Sequence, residues 1–213
     1  MNAVSVEKRK KTMRPWHRKA TFGFIFSLAM FAQLATPTTA RAQDPAVWYI
    51  AGAALTTVLP GFVFDLPQPD ADRSYAKMSA GYFDAVDDEN TAFDFSIEYQ
   101  PGWTWFRIKP LIGFSGNTDG SFYGWLSASH DFHITKRFVV NFNIGPAFYI
   151  SGKDAKNLGS AGVLRSGFEV GYRFDDGMRI TGSFHHMSHG KLLNDTTNPG
   201  TEMIGLNLSV PLN

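Results

Sequence analysis

Three side chains late in the chain have the types a nucleophilic hydrolase needs: a base, His186, a hydroxyl, Ser188, and a carboxylate, Glu202. A serine hydroxyl is a weak nucleophile until a base takes its proton, and an imidazole works best when a carboxylate orients it. Residues 178–188 and 201–212 read as two strands joined by a loop over 189–200. Side chains of a strand alternate faces. His186 and Ser188 therefore share a face with Ile180, Gly182 and Phe184, roughly 6.5 Å apart along the strand. Glu202 shares the apolar face of the next strand with Ile204, Leu206, Leu208 and Val210. The three groups thus gather at the loop end of one apolar face, and the chemistry they suit is ester hydrolysis through an acyl-enzyme. The structural alternative is that they are plain polar residues beside a loop, since His-x-Ser is a weak motif by itself. A metal centre is not expected. His185 falls on the face opposite His186, so His185, His186 and His189 do not converge, and the chain has no cysteine. His130 and His133 also fall on opposite faces and read as structural.

The elements that must position these groups begin after an export signal. Residues 1–42 carry a basic stretch (Lys8, Arg9, Lys10, Lys11, Arg14, Arg18, Lys19) and an apolar core over 20–35. Ala40-Arg41-Ala42 follows, a small-residue cleavage pattern. The core is short for an uncleaved span, which needs ~20 residues. This segment holds 8 of the 20 basic and 1 of the 19 acidic residues, so the remainder carries 12 basic against 18 acidic, net −6. That balance excludes the basic surface a nucleic-acid partner requires. Residues 43–73 form an extension whose prolines, Pro60, Pro67 and Pro69, follow an apolar stretch over 47–59. It reads as a helix or an irregular segment.

From residue 74 the chain alternates regularly. Strands are expected at 75–84, 92–100, 103–115, 121–133, 138–150, 164–174, 178–188 and 201–212, eight in all. The pattern is clearest at 92–100, where Phe93, Phe95, Ile97 and Tyr99 alternate with Asp94, Ser96 and Glu98. Pro101-Gly102, Thr135-Lys136 and Asp175-Asp176-Gly177 are short connections. Those at 87–90, 116–120, 151–162 and 189–200 are polar and mostly longer.

Alternation alone fits either a soluble β-sandwich with an apolar core or a membrane barrel with an apolar exterior. Three features favour an all-β, eight-stranded antiparallel transmembrane barrel over residues 74–213. The strands reach about the 9–11 residues that a tilted transmembrane strand needs. Short turns alternate with longer loops. Aromatics (Tyr99, Trp103, Trp105, Tyr123, Trp125, Tyr149, Tyr172) fall near strand ends, as interfacial girdles do. The inward set then holds Asp94, Glu98 and Glu169 with Arg107, Lys109, Arg165, Arg173 and Arg179. Eight strands leave no open lumen, so these charges must pair across the interior. On this topology His186, Ser188 and Glu202 point outward near the membrane–water boundary. Ionisable groups there break the rule for a lipid-facing surface, which points to function and to a substrate met from the side.

The last third of the chain resembles the outer-membrane lipid A 3-O-deacylases of the PagL type. The likeness runs from Asn157-Leu158-Gly159-Ser160 through Phe-His-His-Met-Ser-His-Gly (184–190) and Asn198-Pro199-Gly200-Thr201-Glu202 to Pro211-Leu212. Upstream of about residue 138 it is a likeness of pattern. The resemblance implies an eight-stranded barrel in the outer membrane of a Gram-negative bacterium. It implies removal of the ester-linked acyl chain at the 3 position of lipid A in lipopolysaccharide, without metal or other cofactor. His186, Ser188 and Glu202 would be the triad. Where the family has Asn after the serine, assigned to the oxyanion hole with a nearby amide, this chain has His189 and then Gly190. The His189 ring or the Gly190 amide would take that role. The loop between Ser188 and Glu202 is about two residues longer than the family's. The resemblance leaves open whether two barrels associate as a homodimer. The rival readings are a non-enzymatic structural or adhesive barrel with a decayed triad, and a soluble sandwich that binds.

Overall fold

The alternating stretches fold into one closed antiparallel sheet. In the computed structural model, which describes residues 51–57, 69–86, 90–105, 107–153, 155–190 and 198–212, eight strands succeed one another along the chain. They are β1 (Tyr75–Phe83), β2 (Ala92–Gln100), β3 (Lys109–Asn117), β4 (Phe122–His133), β5 (Phe138–Ile150), β6 (Gly162–Arg173), β7 (Arg179–Ser188) and β8 (Thr201–Pro211). Each pairs with its sequence neighbour, and β8 pairs back onto β1, from Tyr75↔Pro211 to Phe83↔Met203. One sheet closed on itself replaces the two facing sheets of a sandwich, so that alternative is excluded. The expected signal segment and the turn at 87–89 lie outside the described residues. In the extension, residues 51–57 are helical.

The alternation is resolved with its polar face inward. Met78, Phe95, Ile97, Leu126, Ile150 and Leu206 are exposed on the outside. The buried interior holds Lys77, Glu98, Lys109, Asp131, Arg165, Glu169, Arg173 and Arg179. An eight-stranded barrel is just filled by its side chains, so buried charge there must be matched charge by charge. Lys77 lies between Glu98, 2.5 Å away, and Glu169, and Thr181 donates to the second oxygen of Glu169 at 3.0 Å. Arg165 reaches Glu98 at 3.4 Å and lies over the Trp125 ring. Arg179 bridges Asp131 at 3.1 Å and Asp70 at 2.9 Å.

Two expectations need correction. The third strand starts at Lys109; residues 101–105, 107 and 108 lie outside the barrel ladder. Trp105 and Ile108 bridge each other there, and Arg107 takes a left-handed φ of 65°. Arg107 is consequently not part of the inward set. Its carbonyl instead meets Nδ1 of the outward-facing His130 at 3.1 Å. Secondly, Tyr123, Trp125 and Tyr149 are no girdle. They fall on the inward parity of β4 and β5 and are buried. The Tyr123 hydroxyl donates to Asp94 and that of Tyr149 to the carbonyl of Lys156. Tyr99, Trp103, Trp105 and Tyr172 do lie exposed outside. The end of the extension lies at the short-turn mouth of the barrel. Asp70 accepts from Nε and Nη2 of Arg173, both at 2.7 Å, and its carbonyl accepts from Lys109 at 2.6 Å. His133, inward on β4, stands 3.7 Å from the same carboxylate.

Candidate active site

β7 and β8 owe their register to what each puts inside and outside. Ser183, His185 and Met187 alternate inward against Gly205 and Met203, while Ile180, Phe184, Ile204 and Leu206 face out. A slip of one residue would exchange the two sets, so the register is firmly fixed. It sets His186 directly opposite Glu202. Across that pair, Nδ1 of His186 meets Oε1 of Glu202 at 2.8 Å, with both side chains about a fifth to a quarter exposed (24% and 21%). A carboxylate at Nδ1 holds the proton there and gives Nε2 the proton-accepting role.

Ser188 ends β7 two residues on, on the same outward parity, with its Cα paired to Leu164. It is largely buried. By parity Ser188 and His186 therefore share the outer face at the long-loop end of β7, with Glu202 opposite His186 on β8. His185 points the other way, into the interior, where its Nε2 lies 3.4 Å from Asn143 Nδ2. Among the described residues no group of three or more His, Cys, Asp or Glu side chains is close enough to hold a metal ion.

The two residues considered for an oxyanion hole come directly after the serine. His189 is buried. Gly190 adopts φ 59°, and its amide donates to Oδ1 of Asn198 at 3.2 Å. To serve an oxyanion, that amide must exchange this partner. The bond closes the base of the loop, of which residues 191–197 lie outside the described residues, as does the expected extra loop length.

Two residues of the motif at 198–202 belong to the site although the sequence gives them no role. Asn198 is one; an Asn-Pro-Gly turn was the available signal. Gly200 is the other. It has φ 61°, and a Cβ there would stand 3.0 Å from Cε1 and 3.5 Å from Nε2 of His186. The backbone thus closes against the Cε1 edge of the ring, beside the Nδ1 that meets Glu202, in a left-handed conformation that favours glycine.

A family model described as lipid A 3-O-deacylase (PagL) matches residues 90–211. Among solved structures, the crystal structure of the outer membrane enzyme PagL aligns at a TM-score of 0.52 and 16% identity. It covers 65% of this chain and 99% of that one. Neisserial surface protein A aligns at 0.47 and 11% identity, covering 65% and 95%. No curated protein sequence matches the chain.

Proposed function

Because this chain belongs to the lipid A 3-O-deacylase (PagL) family, we propose that it is a serine esterase of a Gram-negative outer membrane. It removes the ester-linked acyl chain at the 3 position of lipid A. Ser188 is the nucleophile, His186 the general base and then acid, and Glu202 the group that orients the imidazole. Ser188 Oγ attacks the acyl carbonyl while its proton passes to His186 Nε2. The tetrahedral intermediate collapses, the sugar oxygen leaves with that proton, and the acyl group stays on Ser188. A water, deprotonated by the same imidazole, then releases the fatty acid and restores the hydroxyl. His189 or the Gly190 amide, once released from Asn198, stabilises the oxyanion.

The single observation that carries this reading is the outward His186–Glu202 pair. It sits on a face whose other members are exposed and apolar, as at Ile180, Ile204 and Leu206. Large apolar side chains at the exterior and matched charge in the interior suit a wall that meets lipid. On such a wall, ionisable groups are unfavourable unless they serve a substrate that arrives through the lipid. Cleavage of the segment 1–42 would deliver the barrel to that membrane.

The test is lipid A mass spectrometry on membranes that contain the wild type, Ser188→Ala or His186→Ala. Loss of a 3-position acyl chain only with the wild type is expected; trimming by either variant at the wild-type rate refutes the assignment. One observation favours a second reading, a non-enzymatic barrel: the Gly190 amide is already engaged by Asn198. That reading gains if overexpressed wild type leaves lipid A unchanged.

A further inference from the structure

Glu202 is the second residue of β8, and its carboxylate can orient His186 only if its backbone is held. On one side β7 holds it through the His186 pairing. On the other, the β1–β8 ladder ends one residue short, at Phe83↔Met203. The residue after Phe83 is Asp84. The parity of β1 would point Asp84 outward like its neighbour but one, Tyr82, which is exposed. Instead Asp84 adopts φ 56°, and its side chain is wholly buried. A left-handed residue at a strand end re-aims the side chain and bends the chain, as a bulge does. The bend brings the Ala85 amide to the carbonyl of Glu202, to which it donates at 3.0 Å.

The re-aimed carboxylate meets groups from three other segments. Nζ of Lys156, from the loop between β5 and β6, pairs with its Oδ1. The hydroxyl of Thr201, the residue before Glu202, donates to the same oxygen at 3.4 Å. The Asn90 amide donates to Oδ2 at 3.0 Å, and the Thr91 hydroxyl to the Asp84 carbonyl at 3.1 Å. Lys156 is itself anchored, because its carbonyl accepts from Tyr149 at 2.6 Å and Leu158 beside it is fully buried. A buried ion pair of this kind adds little net stability, but it fixes geometry.

We infer that the Asp84–Lys156 pair is a positioning element for the reaction: through Thr201 and the Ala85–Glu202 bond it holds the carboxylate that orients His186. This rests on the catalytic reading of Glu202. Neither Asp84 nor Lys156 touches the reacting atoms.

The test uses the full-length barrel in detergent micelles, with folded barrel counted by heat-modifiable gel mobility. Asp84→Asn should lower kcat per folded barrel at least about tenfold, because small misplacements of catalytic groups are costly, with KM within about twofold. Lys156→Met should do the same, and Lys156→Arg should recover most of the rate. A second readout needs no turnover. The low-field proton resonance of His186 Nδ1, assigned by its absence in His186→Gln, should broaden or vanish in Asp84→Asn. Where Asp84→Asn fails to fold, Thr201→Val, which removes one hydroxyl and keeps the shape, should weaken the same resonance. A folded Asp84→Asn barrel with wild-type kcat and an unchanged resonance overturns the inference, as does an unchanged resonance in Thr201→Val. Wild type that leaves lipid A intact while the resonance responds as stated refutes the deacylase reading and supports the positioning role.

Discussion

His186 Nδ1 and Glu202 Oε1 stand 2.8 Å apart across a directly opposed pair of β7 and β8, on the outside of a closed barrel. In the proposed mechanism the carboxylate does two things for the ring: it fixes the tautomer and it stabilises the imidazolium that forms when Ser188 is deprotonated. Glu202→Gln keeps the shape and loses both the charge and the certainty of tautomer. Deacylation should fall by about 10²–10⁴-fold in kcat, with the barrel folded. Wild-type rates in Glu202→Gln, measured on purified barrel with lipid A as substrate, would remove Glu202 from the mechanism.

Gly200 supplies the second wall of the ring. Alanine there meets two obstacles, a left-handed φ of 61° and a contact of 3.0 Å with His186 Cε1. The first costs about 1–2 kcal/mol. The second is relieved if the ring swings from Glu202. Gly200→Ala should therefore lose stability by about that amount in denaturant titration and lose kcat as well. Gly182→Ala is the control. A Cβ at Gly182 meets nothing within 4 Å, so both quantities should stay near wild type.

Lys77 tests the interior. It lies between two buried carboxylates, Glu98 and Glu169. Removing the cation leaves buried Glu169 with no cation beside it and Glu98 with Arg165 alone. Lys77→Met should destabilise the barrel by about 3–5 kcal/mol or more, read as a lower denaturant midpoint. Pairing it with Glu169→Gln should recover part of the loss. A single variant as stable as wild type would mean that these charges are solvated rather than paired.

The features legible in the sequence divide from the rest along physical lines. Period-two patterning is local, so the eight strands and the adjacency of His186 and Glu202 came from parity and hairpin register. Parity does place Tyr123, Trp125 and Tyr149 inside, on the face of Ser129 and Asn143; nearness to strand ends is what points to a girdle instead. Tyr123, Trp125 and Tyr149 are buried because their polar ends or ring faces find Asp94, Arg165 and the Lys156 carbonyl. Those partners lie on other strands, or for Lys156 in a loop. The late start of β3 at Lys109 goes with a left-handed Arg107, which no pattern of apolar residues encodes. Asp84 and Lys156 are 72 residues apart in sequence, and only barrel closure brings them together. The same holds for Asp70 and Arg179.

Asp70 gives the pH prediction. Burial alone would raise its carboxyl pKa, but hydrogen bonds from Arg173 and the charge of Arg179 outweigh that and bring it from 3.8 to about 2. A folded-state value below the unfolded one means that the ionised form is bound more tightly in the folded barrel. Its contribution, about 2 kcal/mol on the linkage relation, is present in full above the unfolded value near 3.8. It is lost as pH falls through about 2. Asp70→Asn should abolish that part of the acid dependence. At neutral pH it should also cost more than the linkage figure, because Arg173 and Arg179 then face each other across the mouth without the shared anion. The measurement is the denaturant midpoint of wild type and Asp70→Asn at about pH 7 and about pH 2.5. The gap between the two proteins should narrow at the lower pH. A gap of the same size at both would show that Asp70 acts through its backbone carbonyl, which accepts from Lys109, rather than through its charge.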